Sequence, residues 1–321
     1  MWNKVWGKTL RSQMIRYNIL IICIIDIFIN VCAYMSSSRK IMEVAHASLE
    51  HHVESISNQY QMAYHEMLNI TLNCTEREVI NLDTLNGMNT SKTKHRGLEY
   101  AQIIRDYCSI TEYGKYISKL IIFDNRGNMV QAGSLFGSND DMERVSTADW
   151  LEEECEKPME MYRLQLVEAP FFQQDGKILP IARKISRRQN TSSVYTVLCL
   201  SASLFRDVLQ ENDSEHEILV ATGSGQKIAS VGELEEDAAE NDALITEILN
   251  KGIDKGIDTM KVHGRKCLVA YEIYAPSGIL VCEIMPLDEL LNDRLILIET
   301  VGIMFFASLF FGIVLSLLIT K

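Results

Sequence analysis

Two long apolar runs frame the chain. Residues 17–35 (YNILIICIIDIFINVCAYM) and 295–319 (LILIETVGIMFFASLFFGIVLSLLI) each contain a single formal charge. Both exceed the roughly 18 apolar residues that separate a bilayer span from a buried core helix, so both predict transmembrane helices. Between them the pattern changes character twice. Ile41, Ala45, Leu49, Val53, Ile56, Tyr60, Tyr64, Met67 and Ile70 recur at three- and four-residue steps, with Glu43, Glu50, Glu54 and Gln61 between them. That spacing predicts one amphipathic helix continuing from the first span as a stalk, over 36–74. Asn81–Gly97 is polar and rich in turn formers, which reads as a loop, and 98–112 resumes as a short helix.

Beyond residue 112 the apolar runs shorten and repeat. LIIFDNRGNMVQA (120–132) aligns with ILVATGSGQKIAS (218–230), matching Leu120 to Ile218, Ile122 to Val220, Gly127 to Gly225 and Val130 to Ile228. Each copy reads as strand, glycine turn, strand. An acidic helical stretch follows each, NDDMERVSTADWLEEE in the first and ELEEDAAENDALITEILN in the second. Two further strands come next, ILPIARKI with SVYTVLCLS and RKCLVAYEI with GILVCEIM. The copies also close alike, because LCLSASLFRDVL aligns with VCEIMPLDELLN, placing Cys199 on Cys282 and Leu204 on Leu287. The fold class this predicts is α+β, with two tandem units of strands and helices, over 75–212 and 213–293.

Composition sharpens this picture at the ends and in the middle. Lys4, Lys8, Arg11 and Arg16 precede the first span with no acid among them, which places residues 1–16 in the cytoplasm by the positive-inside rule. Residues 36–294 are then extracytoplasmic, the second span occupies 294–319, and 320–321 return to the cytoplasm. A cleaved signal peptide is the competing reading of the start, since Val31-Cys32-Ala33 could serve as a processing site. The apolar run is long for a signal and leads into a continuous helical pattern. The chain as a whole carries −12, and residues 36–294 alone about −15. Such a surface repels nucleic acid and anionic headgroups.

Known catalytic and metal patterns are missing. The turn Asp124-Asn125-Arg126-Gly127-Asn128 could begin a calcium loop, but the position that needs a bidentate acid is Leu135. ATGSGQK (221–227) lacks the spacing of a phosphate loop. Both turns therefore read as hairpin corners, with Asp124 and Asn125 making the first and Gly127 supplying its positive φ. His46, His51, His52 and His65 do not share the i, i+4 spacing of a metal pair, and the eight cysteines contain no C-x-x-C. No metal, no cofactor and no catalytic residue is expected.

The order of elements carries a resemblance. A short basic N-terminus, a span, a long helix, two PAS-like units and a second span resemble the double Cache sensor regions of bacterial receptors, especially those of YesM-like sensor histidine kinases. LIIFDNRGNMV, ILPIARKI and LSASLFRDVL are the segments most similar to that family. The resemblance implies a small extracellular solute, or a solute-binding protein, as ligand. It also implies that each unit is an antiparallel sheet with flanking helices, and it implies signalling through the second span to a histidine kinase region absent from these 321 residues and its cytoplasmic response regulator. Chemotaxis receptors and cyclic-dinucleotide enzymes use the same module, and a ligand-free membrane-anchored interaction protein is the reading from another class.

Candidate ligand contacts come from the first unit, where aromatic walls and fixed polar groups coincide: Trp150, Tyr162, Arg163, Phe171, Phe172 and Arg183. The family often places an aromatic at the position of Trp150. Its amino-acid-binding subfamily has an Arg two residues before a Trp-Tyr pair. Thr147-Ala148-Asp149-Trp150-Leu151 has neither that Arg nor the Tyr, so an amino-acid ligand is not implied. In the spans, Ser308, Gly312 and Ser316 form a small-residue stripe that lets two helices approach closely and reads as the dimerisation face of a homodimer, and Asp26 is expected to face another helix.

Overall fold

The computed structural model describes residues 10–76, 102–106, 108–125, 129–132, 139–168, 177–186, 193–212, 216–232 and 238–319. The chain divides into two compact units. One comprises Met1–Leu49, Gly264–Leu268 and Met285–Lys321, and the other Glu50–His263 and Val269–Ile284.

The first span and the stalk are a single helix, α1 (Leu10–Glu76). It buries the stripe the periodicity predicts, with Leu49, Val53, Ile56, Tyr60, Tyr64, Met67 and Ile70 all nearly inaccessible. Nearer its start Ile21, Ile24 and Phe28 are exposed, as lipid-facing side chains would be. A window of mean hydropathy 2.3 lies within Tyr17–Cys74, and a second, of 2.1, covers Ile298–Leu315.

Two five-stranded antiparallel sheets follow. The strands of the first are β1 (Ile117–Asp124), β2 (Met129–Ala132), β3 (Val167–Glu168), β4 (Lys177–Ser186) and β5 (Ser193–Leu200). Those of the second are β6 (Glu217–Ala221), β7 (Lys227–Val231), β8 (Lys255–Val262), β9 (Arg265–Tyr274) and β10 (Ile279–Pro286). Their orders are β2-β1-β5-β4-β3 and β7-β6-β10-β9-β8, the same arrangement twice. The repeat seen along the chain is thus a repeat of topology. Cys199 and Cys282 occupy the central strands of different sheets, both fully buried. Each sheet has one strand more than the apolar runs predict, β3 and β8.

Helices α2 (Asn139–Ser146) and α3 (Trp150–Glu156) stand between β2 and β3, and α4 (Ser203–Glu211) follows β5. In the second copy α5 (Ala238–Asn250) stands between β7 and β8, and α6 (Leu287–Ile319) follows β10 directly and carries the second span. The β6–β7 corner is a glycine turn, as the repeat predicts. Gly225 has φ 91°, and the Thr222 hydroxyl accepts a hydrogen bond from the Gln226 amide at 3.1 Å. Arg126–Asn128, at the other corner, fall outside the described residues.

Candidate functional site

Helix α3 brings the first candidate to the sheet. Ile121, Phe123, Val145, Leu151, Ile178, Ala182, Val197 and Cys199 form a buried cluster, and Trp150, Met129, Cys155 and Tyr195 pack against it half-buried. Glu152 and Glu153, in the first turn of α3, oppose the positive end of its dipole. Glu152 also reaches the sheet. Lys184 Nζ lies 3.0 and 3.1 Å from its two oxygens, and the Tyr195 hydroxyl donates to it at 3.2 Å. Phe123 and Tyr195 stack with ring centroids 5.1 Å apart, and the Lys184 ammonium stands 5.2 Å from the Tyr195 ring.

Hydrogen bonding shifts both charges in the direction that keeps them. The bond from Lys184 holds the Glu152 carboxyl below its usual range, and bonds to Tyr195 and Glu152 raise the Lys184 ammonium. The pair is exposed, so it contributes little to folding. Chemically it offers an aromatic platform with one anion and one cation at its rim, able to exchange their mutual contact for the polar groups of a small solute.

Tyr162 lies elsewhere, at the centre of a buried knot. Its hydroxyl donates to Glu154 Oε2 at 2.5 Å and accepts from the Ala182 amide at 2.8 Å. Its amide donates to the Tyr64 hydroxyl at 3.1 Å, and that hydroxyl reaches the carbonyls of Tyr162 and Pro276 at 3.2 and 3.4 Å. Lys157 closes the knot with bonds to Glu154 at 2.5 Å and the Arg163 carbonyl at 3.0 Å. Arg163 is exposed, beside the Gly278 turn. Arg183 alternates along β4 with Ala182 and Lys184, and so stands on the sheet face opposite the Trp150 cluster. Phe171 and Phe172 lie outside the described residues.

Trp150 and Tyr195 thus pack against one cluster, and Tyr195 is joined to Glu152 and Lys184, three residues that sequence reasoning passed over. The signal lay in period-two alternation: Lys184 is two residues from Ala182, and Tyr195 two from Val197, on strands whose inner faces are otherwise apolar. In the second module a recess of about 140 Å³ is lined by Glu50, Val53, Lys255, Ile257 and Tyr271. Its charges are already matched, Lys255 lying 3.2 Å from both Glu50 and Glu54. Among the described residues no group of three His, Cys, Asp or Glu side chains is placed to hold a metal ion.

The span residues meet within the chain. The Ser308 hydroxyl donates to Asp26 Oδ2 at 2.6 Å, and Asn30 Nδ2 reaches Asp26 Oδ1 at 3.1 Å. A Cβ on Gly312 would come within 2.8 Å of Ile22 Cγ2. The Ser308–Gly312 part of the stripe thus packs on the chain's own first span. The side chain of Ser316 lies outside the described residues.

No family model and no curated protein matches this sequence. Solved structures do. The sensory domain of the Campylobacter jejuni chemoreceptor Tlp3, with isoleucine bound, superposes with a TM-score of 0.57 at 11% identity, covering 79% of this chain and 97% of that one. Its complex with L-valine gives 0.52 at 11% identity, covering 79% and 97%. The extracellular domain assigned to the histidine kinase vpHK1S-Z8 gives 0.53 at 14% identity, covering 78% and 96%. With two antiparallel five-stranded sheets, flanking helices and a long N-terminal helix, the chain has the double Cache-like fold of these sensory domains.

Proposed function

We propose that the protein is a two-span membrane receptor whose first module binds a small polar solute over Trp150, Tyr195, Glu152 and Lys184. The ligand shifts the balance between two poses of β5, α4 and the second module. β10 passes that shift into α6, which enters the membrane without an intervening loop. The observation that carries this reading is that Trp150 packs half-buried on the same cluster as Tyr195, whose hydroxyl and ring meet the exposed Lys184–Glu152 pair, in a chain of sensory-domain fold. One anion and one cation on an aromatic platform suit a solute with hydrogen-bonding groups of both signs. Tlp3 binds isoleucine with the same fold, while the stretch around Trp150 here lacks the Arg and Tyr of the amino-acid subfamily.

In the same proposal residues 36–294 face the outside, the receptor acts as a homodimer, and its output is a YesM-like histidine kinase with a response regulator as its partner. The test is a thermal-shift screen of the full chain in lipid nanodiscs against sugars, carboxylates, amino acids and short peptides. A true ligand at a hundredfold its Kd stabilises by about 2.7 kcal/mol. Trp150→Ala and Lys184→Ala should each abolish that shift. A stabilising solute indifferent to both substitutions removes the site from this face, and a screen without hits favours an interaction protein.

A further inference from the structure

Glu283 sits in the middle of β10 and is 1% exposed, yet it is a carboxylate. Two imidazoles bond to it. His52 Nδ1, from α1, lies 2.8 Å from Oε2, and His216 Nδ1, from the residue before β6, lies 2.9 Å from Oε1. Each oxygen has its own ring, so both rings present Nδ1–H to the carboxylate. The rings are more open than the acid, with side-chain exposures of 27% and 21% against 2%. Protons from solvent can therefore reach the imidazoles while the carboxylate stays dry.

Among the described residues, several charged groups on the packed elements are held by partners of their own. Glu50 and Glu54 of α1 hold Lys255 of β8, and Lys251 pairs with Asp258 at 2.7 Å. Glu272 of β9 accepts from Ser57 at 3.0 Å. Glu217 of β6 is 3.8 Å from His263, which Glu240 holds at 2.9 Å. Cys282, beside Glu283 on β10, is a thiol that burial and then the Glu283 charge push up to about 12.

Proton accounting gives the cluster its function. With both imidazoles neutral, the three side chains carry a net −1, and the carboxylate that bears it is buried. One added proton, on Nε2 of either ring, makes the cluster neutral, and a second would bury +1. Burial favours the neutral count, and imidazole is the side chain that ordinarily changes charge between about pH 5 and 8. The geometry points to a proton-binding site: His52, Glu283 and His216 together take up one proton across that range, tightening the tie between α1, the entry to the second module and β10. Burial alone would raise the Glu283 carboxyl, but the His216 hydrogen bond and the charge and bond of His52 outweigh it and hold it below its usual range. The added proton therefore resides on a ring. Because β10 ends at Pro286 and α6 begins at Leu287, pH becomes an input to the second span that does not depend on any solute at Trp150.

The test is NMR of the full chain in lipid nanodiscs with histidine Cε1 labelled, its resonances assigned by His52→Asn and His216→Asn. The two rings should move together with one shared midpoint between about pH 5 and 8. Glu283→Gln should lower that midpoint by about one unit or more, because it removes the charge that holds the proton. Rings that are silent across the range, that titrate separately, or that ignore Glu283→Gln overturn the site. Should Glu283→Gln fail to fold, the shared midpoint in the unaltered chain decides alone.

Discussion

Glu154 shows how one side chain can be placed by the fold and remain invisible along the chain. It is 1% exposed and bound by Tyr162 and Lys157, and burial raises its carboxyl above the ordinary value of 4.5 although both partners pull the other way. A carboxyl whose pKa is higher folded than unfolded binds its proton more tightly in the folded state. Its contribution is therefore greatest at low pH and declines as pH rises from about 4.5 through the raised value. Glu154→Gln keeps an acceptor for the Tyr162 hydroxyl and deletes that titration. The stability of the variant relative to the parent should rise with pH across this window in chemical denaturation series. A difference that is flat or falls with pH would mean that Lys157 keeps the carboxylate ionised throughout. Trp150 was legible as a helix-end aromatic on the sheet. Tyr162 was legible only as an aromatic, because the partners that fix its role lie 8, 20 and 98 residues away.

At the scale of elements the repeat was the readable part, since it rests on local patterns that each copy states independently. Two strands escaped it for different reasons. In β8, Ile257, Met260 and Val262 break the period of two, and the strand is held at the sheet edge by its pairing with β9. β3 is two residues long and is defined only by Val167 opposite Ile178 and Glu168 opposite Lys177. The hairpin corner, by contrast, is set by one residue. A Cβ on Gly225 would meet Leu249 and Ile245 at ordinary distances of 3.9 and 4.0 Å, so packing does not oppose a side chain there. The backbone does, because φ is 91°. Gly225→Ala should cost about 1–2 kcal/mol in denaturant unfolding, while Gly252→Ala, also at positive φ but with nothing within 4 Å, serves as the control for backbone strain alone. Equal losses at both sites would confirm that the corner asks for conformation and not for space.

For the molecule as a whole, orientation in the bilayer rests on very few residues. Among the described residues two helices are long and apolar enough to cross, and the region between them carries about −15. Acids count little in setting orientation, so that charge neither drives nor forbids export; the basic residues flanking the first span decide. Four precede it, Lys4, Lys8, Arg11 and Arg16, and two follow closely, Arg39 and Lys40. In the proposed topology that majority holds the N-terminus in the cytoplasm. Replacing all four with Gln leaves Arg39 and Lys40 as the only local bias and should reverse it. An epitope inserted after Thr90, in the stretch that reads as a loop, gives the measurement. On spheroplasts of a bacterial host an antibody should reach that epitope in the parent chain and not a tag placed ahead of Met1. In the four-Gln variant a substantial fraction of molecules should show the opposite labelling. If the variant instead keeps the parent pattern in full, the second span and the folded modules between the spans set the topology, and the charge bias of the first flank is dispensable.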